Sequence, residues 1–130
     1  MWIYPEPDAR APSVRSTSDV REAVAFAEAG ETVLLELRPE AISNGIALGF
    51  TPVFWNTAWT RGQAPHTLGL LHDPGHPLFA QFPTDGATNW QWWSALHGAR
   101  PMVLDDLPGE LRPTIQVVDT WFESRRLGAL

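Results

Sequence analysis

Two groups of tryptophans bracket three histidines between residues 55 and 93, and this stretch holds most of the side chains able to do chemistry. Trp55 and Trp59 precede His66, His72 and His76; Trp90, Trp92 and Trp93 follow them, and His97 closes the run. An indole offers a large flat apolar face and one N–H donor, so clustered indoles build a rigid core, a partner surface or a platform for a flat ligand. Asn56, Arg61, Asn89 and Gln91 stand beside them in sequence. Amide and guanidinium groups are the side chains expected to read ligand hydroxyls next to an aromatic face. On a helix, neighbouring residues are about 100° apart, so at most two of Trp90, Trp92 and Trp93 can share a core face. The third must meet a loop, solvent, a ligand or a partner.

The histidines point weakly to a metal. His72 and His76 are four apart, but Pro74-Gly75 between them forbids the regular helix that would make them adjacent ligands. Zinc also needs further ligands and second-shell partners, so no metal site is expected. His66, held between Pro65 and Thr67, is instead a candidate for lining a pocket. Among the carboxylates, Asp73 precedes Pro-Gly, Asp85 precedes Gly, and Asp105-Asp106 leads into Leu-Pro-Gly, so these read as backbone acceptors in turns. A small hydrolase built on Asp85 with His66 or His76 would require a cleft in which those side chains converge. Ser94 and His97 lack the Gly-x-Ser-x-Gly elbow of a serine hydrolase. Nor is there a Gly-rich phosphate loop, and no cofactor is implied.

Composition narrows the partners. The chain has 130 residues, fifteen acidic and nine basic, for a net charge of −6; every basic residue is arginine. An acidic chain without a basic run is a poor ligand for nucleic acid or an anionic membrane. No apolar stretch approaches the ~18 residues of a membrane-spanning helix. The absence of cysteine excludes disulfides, thiolate metal sites and a cysteine nucleophile. The first residues lack the basic and apolar regions of a signal peptide, so either the chain is cytoplasmic or it is a piece of a longer periplasmic or secreted polypeptide.

The elements that must position these groups are short. Residues 1–17 carry Pro5, Pro7 and Pro12 and read as a loop segment, with Trp2-Ile-Tyr as a candidate strand. Asp19 is a candidate N-cap with Glu22 three residues on, and Val20, Ala23, Val24 and Ala27 form one helical face ending at Gly30. Thr32-Val-Leu-Leu-Glu-Leu is nearly continuous in apolar residues and predicts a buried, parallel strand. Further strands are expected at Thr67–Leu71, Met102–Leu104 and Thr114–Asp119, a helical turn at His76–Phe82, and a helix from Thr88 or Asn89 to Gly98. The apolar ending Arg125–Leu130 reads as a strand broken mid-way, which predicts an open sheet edge and self-association. Helix, glycine and buried strand together suggest a single α/β domain over residues 18–130, three layers deep, with an irregular tryptophan-rich insertion.

Several motifs resemble those of a known family. Phe54-Trp-Asn-Thr-Ala-Trp-Thr, Pro65-His-Thr-Leu-Gly, the stretch from His76-Pro to Phe82-Pro-Thr, and Asn89-Trp-Gln-Trp-Trp look like the C-terminal region of bacterial glycoside hydrolase family 2 proteins of the β-galactosidase-like, sugar-binding kind. Leu104-Asp-Asp-Leu-Pro, Ile115-Gln-Val-Val-Asp and Arg126-Leu-Gly-Ala-Leu extend the resemblance across roughly residues 30–130. In that family the catalytic carboxylates lie on a separate barrel, to which nothing here corresponds. The C-terminal region is more distantly similar to the class I glutamine amidotransferase-like (flavodoxin-like) fold, matched here by Ala29-Gly-Glu-Thr-Val-Leu-Leu without the nucleophilic cysteine. The resemblance implies a non-catalytic accessory domain, here in an incomplete form of that fold, that packs against the catalytic domain of its own polypeptide or against a second copy. The alternative is a carbohydrate-binding module that uses exposed indoles.

Overall fold

The computed structural model describes residues 1–6, 14–50, 66–120 and 123–129. Its contacts divide the chain into two compact units, one spanning Glu6–Ser43 and the other Met1–Pro5 with Asn44–Leu130.

The smaller unit is a β-α-β turn of chain: strand β1 (Arg15–Thr17), helix α1 (Val20–Glu28) and strand β2 (Val33–Leu35). The two strands pair in parallel, with Arg15 opposite Val33 and Thr17 opposite Leu35. Asp19 caps the helix as its sequence predicts, its carboxylate accepting from the N–H groups of Arg21 and Glu22. The expected return bond from Glu22 is relayed: the Asp19 N–H donates to the Thr17 hydroxyl, which donates to Glu22. At the other end Gly30 takes a positive φ of 83°. The N–H groups of Gly30 and Glu31 then reach back to Ala27 and Phe26, a Schellman closure that needs a residue without a Cβ at that point. Arg15 lays its guanidinium over the Phe26 ring and pairs with Glu31.

The larger unit is a four-stranded antiparallel sheet. Strand β3 (Gly69–His72), β4 (Met102–Val103), β5 (Ile115–Val118) and β6 (Leu127–Ala129) lie in the order β3-β5-β6-β4. Leu70 faces Val117, and Val117 faces Leu127, so one row of apolar side chains crosses three strands. Phe79, Trp92 and Leu96 close over that row to form the core. They come from short helical pieces: a 3₁₀ turn at Pro77–Phe79, another at Trp90–Trp92, and the single turn of helix α2 (Trp93–Leu96). Asn89 caps the second turn by accepting from the Gln91 N–H, and Gly98 follows α2 with a φ of 82°. Near the N-terminus, Trp2-Ile3-Tyr4 forms no strand; Tyr4 stacks on Phe82 at 5.5 Å.

Three expectations are corrected. The chain is not a three-layer, flavodoxin-like α/β domain; among the described residues its sheets are small and its two helices short. The β-α-β arrangement is confined to β1, α1 and β2, whereas the later strands run antiparallel and need no crossover helices. Second, β2 is not a buried strand, because Leu34 and Leu35 are exposed. Third, β6 is not an edge. It pairs with β5 on one side and β4 on the other, so the chain's last strand offers no open ladder for self-association.

Candidate functional site

The expected aromatic cluster separates into a core part and a surface part. Trp92 is core: it is buried, and its Nε1–H donates to the Thr84 hydroxyl at 2.9 Å. Trp90 and Trp93 are 67 % and 48 % exposed. The turn from 3₁₀ to α geometry at Trp93 sends the successive indoles to opposite sides, as their angular spacing requires.

Trp93 forms one wall of a cavity of about 230 Å³, which it shares with Phe50, His66, Leu96 and His97. His97, one helical turn on, stacks on the Trp93 ring at 5.2 Å and 21°. Trp90 leans on Trp93 at 5.5 Å, and Phe50 meets both indoles edge-on. His66 is fixed from below. Its Nδ1 lies 2.7 Å from the Thr67 carbonyl oxygen, so Nδ1 carries the proton and donates it. The neutral ring therefore keeps Nε2 as an acceptor. Buried Thr67 anchors the neighbouring strand of chain, its hydroxyl accepting from the Gly49 N–H and donating to the Gly49 carbonyl. The site thus gathers a half-exposed indole, an imidazole acceptor and a second imidazole stacked on the indole.

Gly49 leaves the room that the His66 ring occupies, since a Cβ there would overlap the ring at Nδ1. Gly49→Ala is expected to displace the imidazole, break its bond to Thr67 and cost about 1–3 kcal/mol. Histidine side-chain NMR checks this: the Nδ1–H resonance of His66 should disappear in the variant. A ring that keeps that resonance would mean the glycine is not required.

The other candidates from the sequence go elsewhere. Gln91 donates through Nε2 to the Pro83 carbonyl and serves the turn. His76 caps the first 3₁₀ turn, its Nδ1 accepting from the Leu78 N–H, and lines a different cavity from His66. Asp85 accepts from the Asn89 amide and lines neither cavity, so the convergence that a hydrolase on Asp85, His66 and His76 would need is not present. Asp73 accepts from the Gly75 N–H, as a turn aspartate should. His72 packs between Phe79 and Trp92 with both ring nitrogens buried and unpartnered, at 4.6 and 4.9 Å from those rings. Trp55, Asn56, Trp59 and Arg61 lie outside the described residues. His97 and Phe50 were missed as site residues. The four-residue spacing from Trp93 to His97 was the available signal, because side chains at i and i+4 meet on a helix.

Residues 15–130 match the family model described as Domain of unknown function (DUF8487). The chain belongs to that family. No curated protein matches it. The matched span of this DUF8487 chain takes in both the β-α-β unit from β1 onward and the whole antiparallel sheet, so every element of the Trp93 cavity falls within the family's boundaries.

Proposed function

We propose that this chain is a non-catalytic accessory domain of a glycoside hydrolase family 2 polypeptide, which packs through exposed apolar surface against the catalytic part or a second copy. The observation that carries the reading is the bare surface of the β-α-β unit. Ala23 is its one buried residue in α1, while Val20 and Val24 are each 51 % exposed and Leu34 is 50 % exposed. Parallel strands ordinarily have both faces covered. A segment of this size cannot bury enough apolar area to stand alone. Such a surface fits a module that is completed by contact with another body. The family 2 resemblance supplies the identity of that body.

The test uses Val24→Asp. Because Val24 is half-exposed, the substitution should leave folding within about 0.5 kcal/mol of the parent. Sedimentation of the chain alone, and calorimetric titration into the catalytic part of its polypeptide, should reveal association that Val24→Asp weakens at least tenfold. A parent chain that stays monomeric and releases no heat against the catalytic part would sink the proposal.

A second reading, saccharide binding, is favoured by one observation: Trp93 is exposed on a concave surface beside His66 and His97. Titration with galactosides and xylosides should then give saturable heat that Trp93→Ala removes while the far-UV spectrum is unchanged.

A further inference from the structure

A cavity of about 630 Å³ lies at the end of the antiparallel sheet and is distinct from the Trp93 site. Its volume is that of a small-molecule pocket. The floor is apolar, made by Leu71 of β3, on the face of the sheet that carries Gln116, and by Leu111 and Pro113 of the loop before β5. Arg112, Thr114 and Gln116 also line it. Gln116 belongs to β5, while Arg112 and Thr114 come from the chain that leads into it, and all three reach the same cavity. Gln116 lies directly opposite Leu71 in the sheet, which puts a polar group beside the apolar floor.

The three polar side chains share a second property. Among the described residues, none of Arg112, Thr114 and Gln116 makes a side-chain hydrogen bond or ion pair. The other arginine of the cavity, Arg126, is engaged: its guanidinium donates to the carbonyls of Leu107, Pro108 and Leu111 and shapes the loop. His76 on the rim accepts through Nδ1 from the Leu78 N–H, so the proton of its neutral ring sits on Nε2. One carboxylate, Asp73, lines the cavity and accepts from the Gly75 N–H. Two guanidinium groups and one carboxylate, itself already accepting from a backbone N–H, line the cavity.

We propose that this cavity binds a small organic carboxylate with an apolar body. Arg112 takes the carboxylate through its forked N–H donors, the geometry in which guanidinium and carboxylate pair most strongly. Thr114 and Gln116 supply further donors, and the apolar body rests on Leu71, Leu111 and Pro113. A neutral ligand of the same shape gains the floor and loses the charge-assisted bonds. A bare inorganic anion gains the charge and loses the floor.

Phenylacetate and its neutral counterpart 2-phenylethanol are the probes, with inorganic phosphate as the floorless anion, titrated into the ¹⁵N-labelled whole chain and followed by NMR. Phenylacetate should saturate and shift the amides of Thr114 and Gln116, with the alcohol and phosphate each at least tenfold weaker. Arg112 is exposed and unpaired, so Arg112→Gln should keep the fold, weaken phenylacetate at least tenfold and leave the alcohol unchanged. Equal binding of acid and alcohol, binding unaffected by Arg112→Gln, or no saturable shift up to about 10 mM would each overturn the proposal.

Discussion

Replacing Trp92 by alanine is expected to lower the unfolding free energy by about 4 kcal/mol, because it empties the centre of the larger unit's core. The indole is 5 % exposed. Phe82 meets it edge-on at 5.0 Å and 77°, Phe79 at 6.0 Å and 72°, and His72 lies against it at 4.9 Å. Edge-to-face pairs of this kind contribute beyond their buried area. The Nε1–H to Thr84 bond is lost as well, which frees a hydroxyl that now needs a new partner. Trp93→Ala removes a ring of the same size that is half in solvent, and should cost about 1 kcal/mol or less. Urea unfolding of the two variants reads this contrast directly. The midpoint should fall far more for Trp92→Ala, with a slope unchanged from the parent. Equal shifts would place both indoles alike and remove the division between core and surface on which the candidate site rests. The same contrast decides how ligand binding is probed: loss of binding in Trp92→Ala would report unfolding, whereas loss in Trp93→Ala reports the cavity.

Much of the local structure was legible because it depends on neighbours in sequence. Asp19, the apolar face of α1 and Gly30 specify a capped helix within a dozen residues, and the structure keeps each of them, with Thr17 added as a relay. The short apolar runs that became β3, β4 and β5 were visible for the same reason. Pairing was not. An apolar run such as Val33–Leu35 reads as buried on both faces, yet whether another layer covers it is decided by distant chain, and here Leu34 and Leu35 stay exposed. The final strand looked unfinished by composition, but its two partners come from residues 102–103 and 115–117, beyond any local pattern. The site divides in the same way. That Trp90, Trp92 and Trp93 could not share a face followed from helix geometry alone. Which of them turned inward followed from where the 3₁₀ turn passes into α2, and that junction has no sequence signal of its own. His66 is held near Trp93 by long-range pairing, of Thr67 with residues 47–49 and of Leu68 with Val118. Arg112, Thr114 and Gln116 alternate in plain view, but a polar alternation beside a strand reads first as an ordinary solvent face.

Arg125→Met should cost about 3 kcal/mol at neutral pH, and that difference should start to shrink in mild acid, above the ordinary carboxylate range, and go on shrinking below about pH 4. Asp119 is the reason. Its carboxyl group, 3 % exposed at the end of β5, is gripped by the Arg125 guanidinium through Nε at 2.8 Å and Nη2 at 3.0 Å. The backbone N–H groups of Arg125 and Thr120 donate to it too. Burial alone would raise its pKa; the bond to the Arg125 side chain and the two backbone donors together outweigh burial and hold it below the usual carboxylate range. A carboxyl depressed in the folded state contributes stability that is fully present above its unfolded pKa and is lost as pH falls through the folded value. With methionine at 125 the side-chain bond and the opposite charge vanish while the burial remains, so the shift moves upward. An uncompensated buried carboxylate then weakens the variant at neutral pH, and protonation relieves it. Parent and variant therefore converge from opposite sides as acid is added. Urea unfolding of both at pH 7, 5 and 3 tests this. A gap that stays constant across that range would mean Asp119 and Arg125 hold each other by shape alone, with no part played by their charges.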